Sequence, residues 1–509
     1  MKIYSSDQMK NIDFETIKKY IPGNILMEHA GIETVRIIEK KIQNLSEKKV
    51  IVLAGAGNNG GDSFVVARGL SSKVSKLDIY FIGEEEKLSE DSRLNYNICK
   101  KLNLNFIKNF EELMELNEKF KYDIIIDGIF GIGLNRNVIG EHYNLISFVN
   151  NLKNKFVISL DIPSGVNSNT GEIQKIGINA DLTIAYHGGK LGHFLYPGRE
   201  YRGKLSIVDI GIPNIVESED DLDDIYEIIK KEDIKFKIRN KNIHKGNAGK
   251  VVCIGGKTGF SGAIYMASEA ALNSGSGLVY SIIPKGINTI LEQKSTETIT
   301  VPIGDEKREY FRAIDYVETI NFINEIKPDV IILGPGIGRE EETINYILKL
   351  LNEINDINIV LDADGLYAIK DDLAILYGKN IIMTPHMGEF KRIIKSDIKN
   401  KLEKAKLFSE NYGVITVLKG ADTIISNGKK TYINLTGNPG MATAGTGDVL
   451  AGIIASFVGQ GYNRLEASKI SVFLHGYIGD KIAEYESEEG VTANKIIKKI
   501  GECIKDIKK

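Results

Sequence analysis

The feature that most restricts this chain is a run type that keeps recurring: short, β-branched and apolar at nearly every position, followed by a Gly-rich turn and then by helical periodicity. The first part contains "KVIVLAG", "LDIYFIG", "YDIIIDGI", "KFVISLDIP", "DLTIAY" and "KLSIVDIGIP". Strands apolar on both faces are buried on both faces, and a β-then-α order pairs them in parallel beneath covering helices. A second series runs through "GKVVCIGG", "GLVYSII", "PDVIILGPG", "NIVLDADG", "NIIMTPH", "GVITVLKG" and "TIIS", and helical periodicity follows from Asp448 onward. Between the series, "NIVESEDDLDDIYEIIKKEDIKFKIRNKN" carries many charges and reads as a linker or exposed helix without a strand. A chain of 509 residues exceeds the size at which single cores stop growing. We therefore expect two α/β domains, 1–220 and 221–509.

Composition removes several classes of function. With 65 basic and 68 acidic residues the net charge is −3, which gives no footprint for nucleic acid or an anionic membrane. The cysteines Cys99, Cys253 and Cys503 are widely spaced, so neither a disulfide framework nor a zinc site is indicated, and Cys253 reads as core. The N-terminal stretch has no apolar h-region and no run approaches a membrane span, so the cytosol is the expected location.

In parallel α/β sheets, ligands bind in the loops beyond the carboxyl ends of the strands. The first such loop, "GAGNNGGDSF", satisfies G-x-G-x-x-G through Gly55, Gly57 and Gly60, and Asp78 stands where a ribose-binding carboxylate would follow. Asp62, however, falls in the first helical turn, where it is stabilised by the helix dipole but would repel a pyrophosphate. Asn58 and Asn59 add carbonyl and amide groups suited to a cation or a carboxamide.

In the second series, "NPGMATAGTGDVLAGIIA" places the amides of Gly445, Thr446 and Gly447 at a helix N-terminus, with Asp448 where a reacting hydroxyl would lie. Amides that hold an anion beside a proton-accepting carboxylate suit in-line phosphoryl transfer. Alone, G-x-G-D describes a capped helix better. Lys419 can neutralise phosphate charge and Thr423 can donate a hydrogen bond, whereas His386 either contacts a ligand or caps the helix after it. Asp362 and Asp364 suit magnesium or a turn. A Walker loop is excluded, because Val251 occupies the position of its first glycine.

The order of "HKGNAGKVVCIGGKTGFSGAIYMASEAALNSGSGLV", "GPGIG", "DADGL", "TPHMGE", "VLKGADT" and the terminal loop resembles the NAD(P)H-hydrate dehydratase family of the ribokinase-like fold, over nearly the whole second half. The resemblance implies phosphorylation of the ring hydroxyl of a hydrated nicotinamide by a nucleotide, followed by elimination of phosphate. It implies Asp448 as base, with Ala263, Gly336 or Gly338, His386 and Asp448 facing the hydrated dinucleotide. Lys419, Gly420, Ala421, Asp422, Thr423 and Gly447 would hold the nucleotide, expected to be ADP with ATP as the other option, together with magnesium. Ala444 stands where many relatives carry glycine and Met387 where proline is common.

The first half similarly resembles the NAD(P)H-hydrate epimerase family through "LMEHAG", "GAGNNGGD", "DGIFGIGLNRN", "DIPSGVNSNTG" and "HGGKLGHFLYPG". This implies potassium held by Asn59, Asp127 and Ser164. Substrate contacts are implied for Asn58, Asn59, Gly60, Gly61 and Asp62, for Gly131, Ile132, Gly133, Leu134, Asn135, Arg136 and Asn137, and for Asp161. Asp161 is the candidate acid/base, and Lys190 is a second acid or a phosphate contact. His29 replaces a usual asparagine at the site edge and Ser63 a common glycine.

The expected fold is an N-terminal Rossmann-like three-layer α/β/α domain followed by a C-terminal ribokinase-like α/β/α domain. The expected function is repair of hydrated NADH and NADPH by a homo-oligomer, with small-molecule substrates and no nucleic-acid or membrane partner. Three other readings stay open at this point: a vitamin-precursor kinase fused to a dinucleotide-binding domain, a non-catalytic first half, and a plain oxidoreductase.

Overall fold

A computed structural model of the protein describes residues 1–217, 224–397 and 399–508. The chain folds as two compact units, Lys2–Asp223 and Asp224–Lys509, with Met1 belonging to the second.

The first unit is built on seven parallel strands in the spatial order Asn105–Ile107, Lys76–Ile82, Lys49–Gly55, Ile124–Gly128, Phe156–Leu160, Leu182–Tyr186, Lys204–Val208. Alternation within the apolar runs explains the three layers. Val50, Val52 and Ala54 join a core with residues of the helices Ser6–Lys19, Gly23–Lys41, Asn58–Leu70 and Glu90–Lys101. Ile51 and Leu53, facing the other way, pack with the helices Phe110–Phe120 and Gly140–Asn151. Each strand thus needs apolar side chains at both parities, which is why it shows no polar alternation.

The second unit has ten strands in the order Ile299–Ile303, Leu278–Pro284, Lys250–Ile254, Val330–Leu333, Asn358–Leu361, Ile381–Met383, Ile415–Leu418, Ile424–Ser426, Lys430–Ile433, Ile225–Ile228. Pairing is parallel from Ile299–Ile303 as far as Ile415–Leu418; Ile424–Ser426 then turns back, antiparallel to both of its neighbours. The helix Thr446–Gly459 packs against Ser261–Asn273 so closely that a Cβ on Gly452 would lie 2.2 Å from the carbonyl oxygen of Ala267. Cys253 is fully buried in this core.

The segment expected to lack a strand contains one: Ile225–Ile228 pairs in parallel with Lys430–Ile433 and buries Ile225, Tyr226 and Ile228. Four residues suffice for such a pairing, and the charges on either side mask it. Positions 218–223 of the same segment lie outside the described residues. The strands Asn105–Ile107 and Ile299–Ile303, which the sequence pattern does not display, are sheet edges with partly exposed side chains.

The Gly-rich turn of the first unit is fixed by contact. A Cβ on Gly60 would stand 1.8 Å from the carbonyl oxygen of Gly55, so the helix Asn58–Leu70 reaches the sheet only because no side chain intervenes. Gly60→Ala is expected to destabilise the first unit by about 2 kcal/mol or more, as other overpacked cores are. A lowered urea midpoint at unchanged slope would show this.

Candidate functional site

In the first unit the chain runs outward from Lys49–Gly55 through two strands and then returns to add Ile124–Gly128 on the other side. The loops after these two adjacent strands therefore diverge, and a cavity of about 1000 Å³ lies where they part. Its lining includes Asn58, Asn59, Asp62, residues 131–137, Asp161 and Lys190. Gly60, Gly61, Asp127 and Ser164 do not line it; Gly60 and Gly61 sit against Gly55 and Met27 instead.

Asp127, Ser164 and Asn59 converge on the turn after Ile124–Gly128. The buried Asp127 carboxylate accepts hydrogen bonds from Ser159 Oγ at 2.7 Å, Ser164 N at 2.9 Å and Ser164 Oγ at 2.5 Å. Burial raises its pKa, and these hydrogen bonds act in the opposite sense. Ser164 Oγ accepts from Phe130 N at 2.9 Å, and Asn59 Nδ2 donates to Phe130 O at 2.8 Å and Leu160 O at 3.2 Å. Asn59 Oδ1 is left buried with no hydrogen-bond partner. An orphaned amide oxygen near a buried carboxylate is a donor set for a monovalent cation bound by oxygens alone, so the residues fit potassium. Among the described residues no group of three or more His, Cys, Asp or Glu side chains could hold a metal ion.

Asp161 follows the strand Phe156–Leu160 with φ of 58°, a conformation uncommon for a residue with a side chain. Its Oδ1 accepts from Tyr186 N at 3.2 Å and from the ammonium of Lys190, which is 1% exposed and also donates to Tyr186 O at 2.8 Å. Four further carboxylates line the cavity, Asp13, Asp62, Glu84 and Asp91; Glu84 is paired with Lys87, whereas Asp62 and Asp13 have no hydrogen bond or ion pair among the described residues. Asp62 is pushed well above the usual carboxylate range by burial, then by Asp161 and Asp13. Asp13, from the helix Ser6–Lys19, is pushed up to about 6 by burial against the opposing pull of Lys190, with Asp161 adding to the rise.

The sequence reading passed over Asp13. Its signal is an acidic residue set into the apolar stripe of Met9, Ile12 and Thr16, all buried.

The two substitutions at family positions have plain accommodations. Ser63 Oγ donates to Asn59 O at 2.9 Å, and His29 Nδ1 lies 2.9 Å from Ile210 O. Asp78 does not serve a ribose: it is fully buried inside its strand and accepts from Tyr122 Oη at 2.5 Å and Asn105 Nδ2 at 2.7 Å.

In the second unit, Gly445 caps the helix Thr446–Gly459 and Asp448 stands in its first turn. The Asp448 side chain makes no hydrogen bond among the described residues. Burial raises its pKa to about 7; Asp362 adds to the rise, Lys419 opposes it, and Asp364 and Glu389 contribute further. Lys419, just past the strand Ile415–Leu418, donates to Asp362 Oδ1 at 2.9 Å. Burial alone would depress this lysine, but Asp362, Glu389 and Asp448 outweigh it and hold its pKa up. Its ammonium lies 3.2 Å from where a Cβ on Gly447 would be.

His386 does cap the helix Met387–Ile394: its Nδ1 accepts from Gly388 N at 3.0 Å and Glu389 N at 3.3 Å. That leaves the ring proton on Nε2 of a side chain that is 55% exposed, so the cap does not exclude a ligand contact. The backbone of His386 bridges to that of Lys419. Ala263 and Gly336 face each other, with 3.0 Å between the Ala263 Cβ and a Cβ built on Gly336, while Gly338 N donates to Asp364 at 3.1 Å. Thr423 Oγ1 closes the Gly420 turn at 2.9 Å, Ala421 is exposed, and Asp422 is buried against Lys401 at 2.6 Å.

Asp362 and Asp364 are already paired with Lys419 and Arg339, the latter at 2.6 Å. A divalent ion there would have to displace a cation, so the pair does not fit magnesium as a resident ion. His475, also passed over in the sequence, has a buried Nε2 without a partner. Burial lowers its pKa to about 4, with a backbone contact to Thr446 opposing and Lys419 reinforcing.

A Rossmann-like unit with a carboxylate-lined cavity, followed by a ribokinase-like unit with a carboxylate in the first turn of a helix, defines a two-domain α/β protein with a candidate site in each unit. Family models agree with that division: one for YjeF-related protein N-termini matches residues 23–192, and one for NAD(P)H-hydrate dehydratases matches residues 251–502. The bifunctional NAD(P)H-hydrate repair enzyme of Dictyoglomus turgidum is 34% identical over 98% of this chain and 97% of its own. That of Moorella thermoacetica is 32% identical over 98% and 95%. A solved structure of a hypothetical protein from Streptococcus mutans is 29% identical, with a TM-score of 0.50 over 55% of this chain and 100% of that one. The chain belongs to the family of bifunctional NAD(P)H-hydrate repair enzymes. Membership over the whole length decides against the vitamin-precursor kinase reading.

Because the folded-state pKa of Asp13 lies above the value of 3.8 expected when unfolded, the folded form binds an extra proton, and stability is lost as pH rises from about 4 through about 6. Asp13→Asn removes that loss. The variant is expected to be more stable than the parent at pH 7, by at most about 3 kcal/mol, and equal to it below about pH 4. Urea unfolding at the two pH values checks this.

Proposed function

We propose that the N-terminal half interconverts the R and S epimers of NADH and NADPH hydrates and that the C-terminal half dehydrates the S form with ADP, releasing NAD(P)H, AMP and phosphate. The observation that carries this reading is Asp448, without a hydrogen bond or ion pair among the described residues, in the first turn of Thr446–Gly459, with the Lys419 ammonium beside Gly447. The amides of the helix start and Lys419 stabilise the charge of the transferring phosphoryl group. Asp448 takes the proton of the C6 hydroxyl as its oxygen bonds to the terminal phosphorus and AMP leaves. The phosphorylated oxygen then departs as phosphate, pushed by the ring nitrogen, and loss of a proton from C5 returns the N1=C6 pair to nitrogen and leaves the C5=C6 bond of NAD(P)H. Lys419, Gly420, Ala421, Asp422, Thr423 and Gly447 form the nucleotide side of this site; Ala263, Gly336, Gly338 and His386 form the dinucleotide side. Magnesium arrives with the nucleotide phosphates in this reading.

In the epimerase half the cavity receives the hydrated ring, Asp161 acts as an acid/base group and Lys190 holds it. Potassium is held by Asn59, Asp127 and Ser164, where it adds positive charge close to the substrate-binding loop. Among the described residues no helix is long and apolar enough to cross a membrane, and a cytosolic homo-oligomer remains part of the proposal.

Asp448→Asn is expected to lower dehydration by at least about 100-fold while epimerisation continues, measured by release of inorganic phosphate and by separation of the two epimers. A base must be unprotonated, so kcat/KM of the parent dehydratase should climb with pH and level off above about 7. Near-parental phosphate release by the variant would remove Asp448 from the mechanism.

A further inference from the structure

We propose that Asp13 is a catalytic acid of the N-terminal half, delivering the proton to the C6 oxygen that leaves during epimerisation, while Asp161 receives a proton from the water that returns. The proposal rests on the epimerase reading above. Inversion at C6 by exchange has two proton steps. The C6–O bond breaks as the hydroxyl takes a proton and leaves as water, and the ring-nitrogen lone pair forms an N1=C6 double bond. Water then adds to the opposite face, a new C6–O bond forms, the N1=C6 pair returns to nitrogen and the surplus proton passes to a base. No outside oxidant or reductant is needed. The two faces are served most directly by two groups on separate elements.

The cavity supplies them. Asp161, at the end of a strand, is fixed by Lys190 and by Tyr186 N. Asp13 comes from a different element, the helix Ser6–Lys19, lines the same cavity and has no protein partner among the described residues. The burial of Met9, Ile12 and Thr16 sets the rotation of that helix and with it the side on which Asp13 is carried. The charged groups that act on Asp13 are Lys190, from the short strand Gly189–Lys190, and Asp161, after the strand Phe156–Leu160; Asp13 acts in turn on Asp62 of the helix Asn58–Leu70, and Lys10, Glu84, Lys87, Asp91, Arg136 and His142 also line the cavity. Among these, Asp62 is so deeply buried that it suits a donor that keeps its proton, whereas Asp13, at about 6, gives and regains one near neutral pH.

The test uses the full chain, with wild type, Asp13→Asn and Asp13→Glu assayed for exchange of a purified hydrate epimer from about pH 5 to about pH 8. Dehydration of the S form is the control. Wild-type kcat/KM should fall as pH rises through about 6, because the acid form is lost. Asp13→Asn should lose about 100-fold in kcat with KM little changed and should lack that limb, and Asp13→Glu should recover part of the rate with the limb displaced. Urea unfolding of Asp13→Asn shows whether it folds, and in a variant that does not, the Asp13→Glu profile decides. An Asp13→Asn enzyme within about threefold of the parent, one affected in KM alone, or a limb unmoved in either variant would overturn the proposal. A wild-type chain with no exchange activity at all would instead refute the epimerase reading, and this proposal would fall with it.

Discussion

A strand buried on both faces can pair in parallel only if the chain crosses back over the sheet between strands, and this requirement organises both halves of the molecule. Every return brings the next strand in from the same end, so the carboxyl ends gather at one edge and the loops beyond them meet. The diverging loops after Lys49–Gly55 and Ile124–Gly128 make the cavity of the first unit. The second unit repeats the arrangement, with Asp362, His386 and Lys419 following three strands that lie side by side. Close backbone contacts at Gly60 and Gly452 keep the helices near enough to the sheet and to one another for these edges to be tight.

The two sites share an electrostatic plan. In each, a lysine from a neighbouring element holds an aspartate at a strand end, Lys190 with Asp161 and Lys419 with Asp362. In each, at least one more carboxylate has no hydrogen bond or ion pair among the described residues: Asp13 and Asp62 in the first, Asp448 in the second. Burial, not a neighbouring charge, is the largest reason that these carboxylates hold protons unusually tightly. A partnerless carboxylate in a low-dielectric pocket costs stability, and a group kept in that state is poised to exchange a proton with whatever fills the pocket.

Most of the strand framework could be read from the sequence, because doubly buried strands advertise themselves as unbroken apolar runs. Short strands flanked by charge do not: Asn105–Ile107 and Ile299–Ile303 at sheet edges, and the four-residue Ile225–Ile228. Local signals also placed Asp448 in a first helical turn, since a Gly-rich turn before an apolar helix is a contiguous pattern, but they placed Asp62 one turn too early, because its helix already begins at Asn58. The pairings could not be read that way. Asp78 had the right spacing for a ribose contact but sits inside its strand, bonded to Tyr122. Lys190 and Asp161 are 29 positions apart, and Lys419 and Asp362 are 57 apart. Asp13 is placed by the burial of Met9, Ile12 and Thr16, which fixes the rotation of its helix.

The most direct test of the account is the end point of one reaction: purified chain, ADP, magnesium, potassium and a mixture of both hydrate epimers. If the two halves work in sequence on one substrate, the whole mixture should return to its reduced parent with one phosphate released per hydrate consumed. A reaction that stops once the S fraction is spent, or that releases no phosphate, would contradict it.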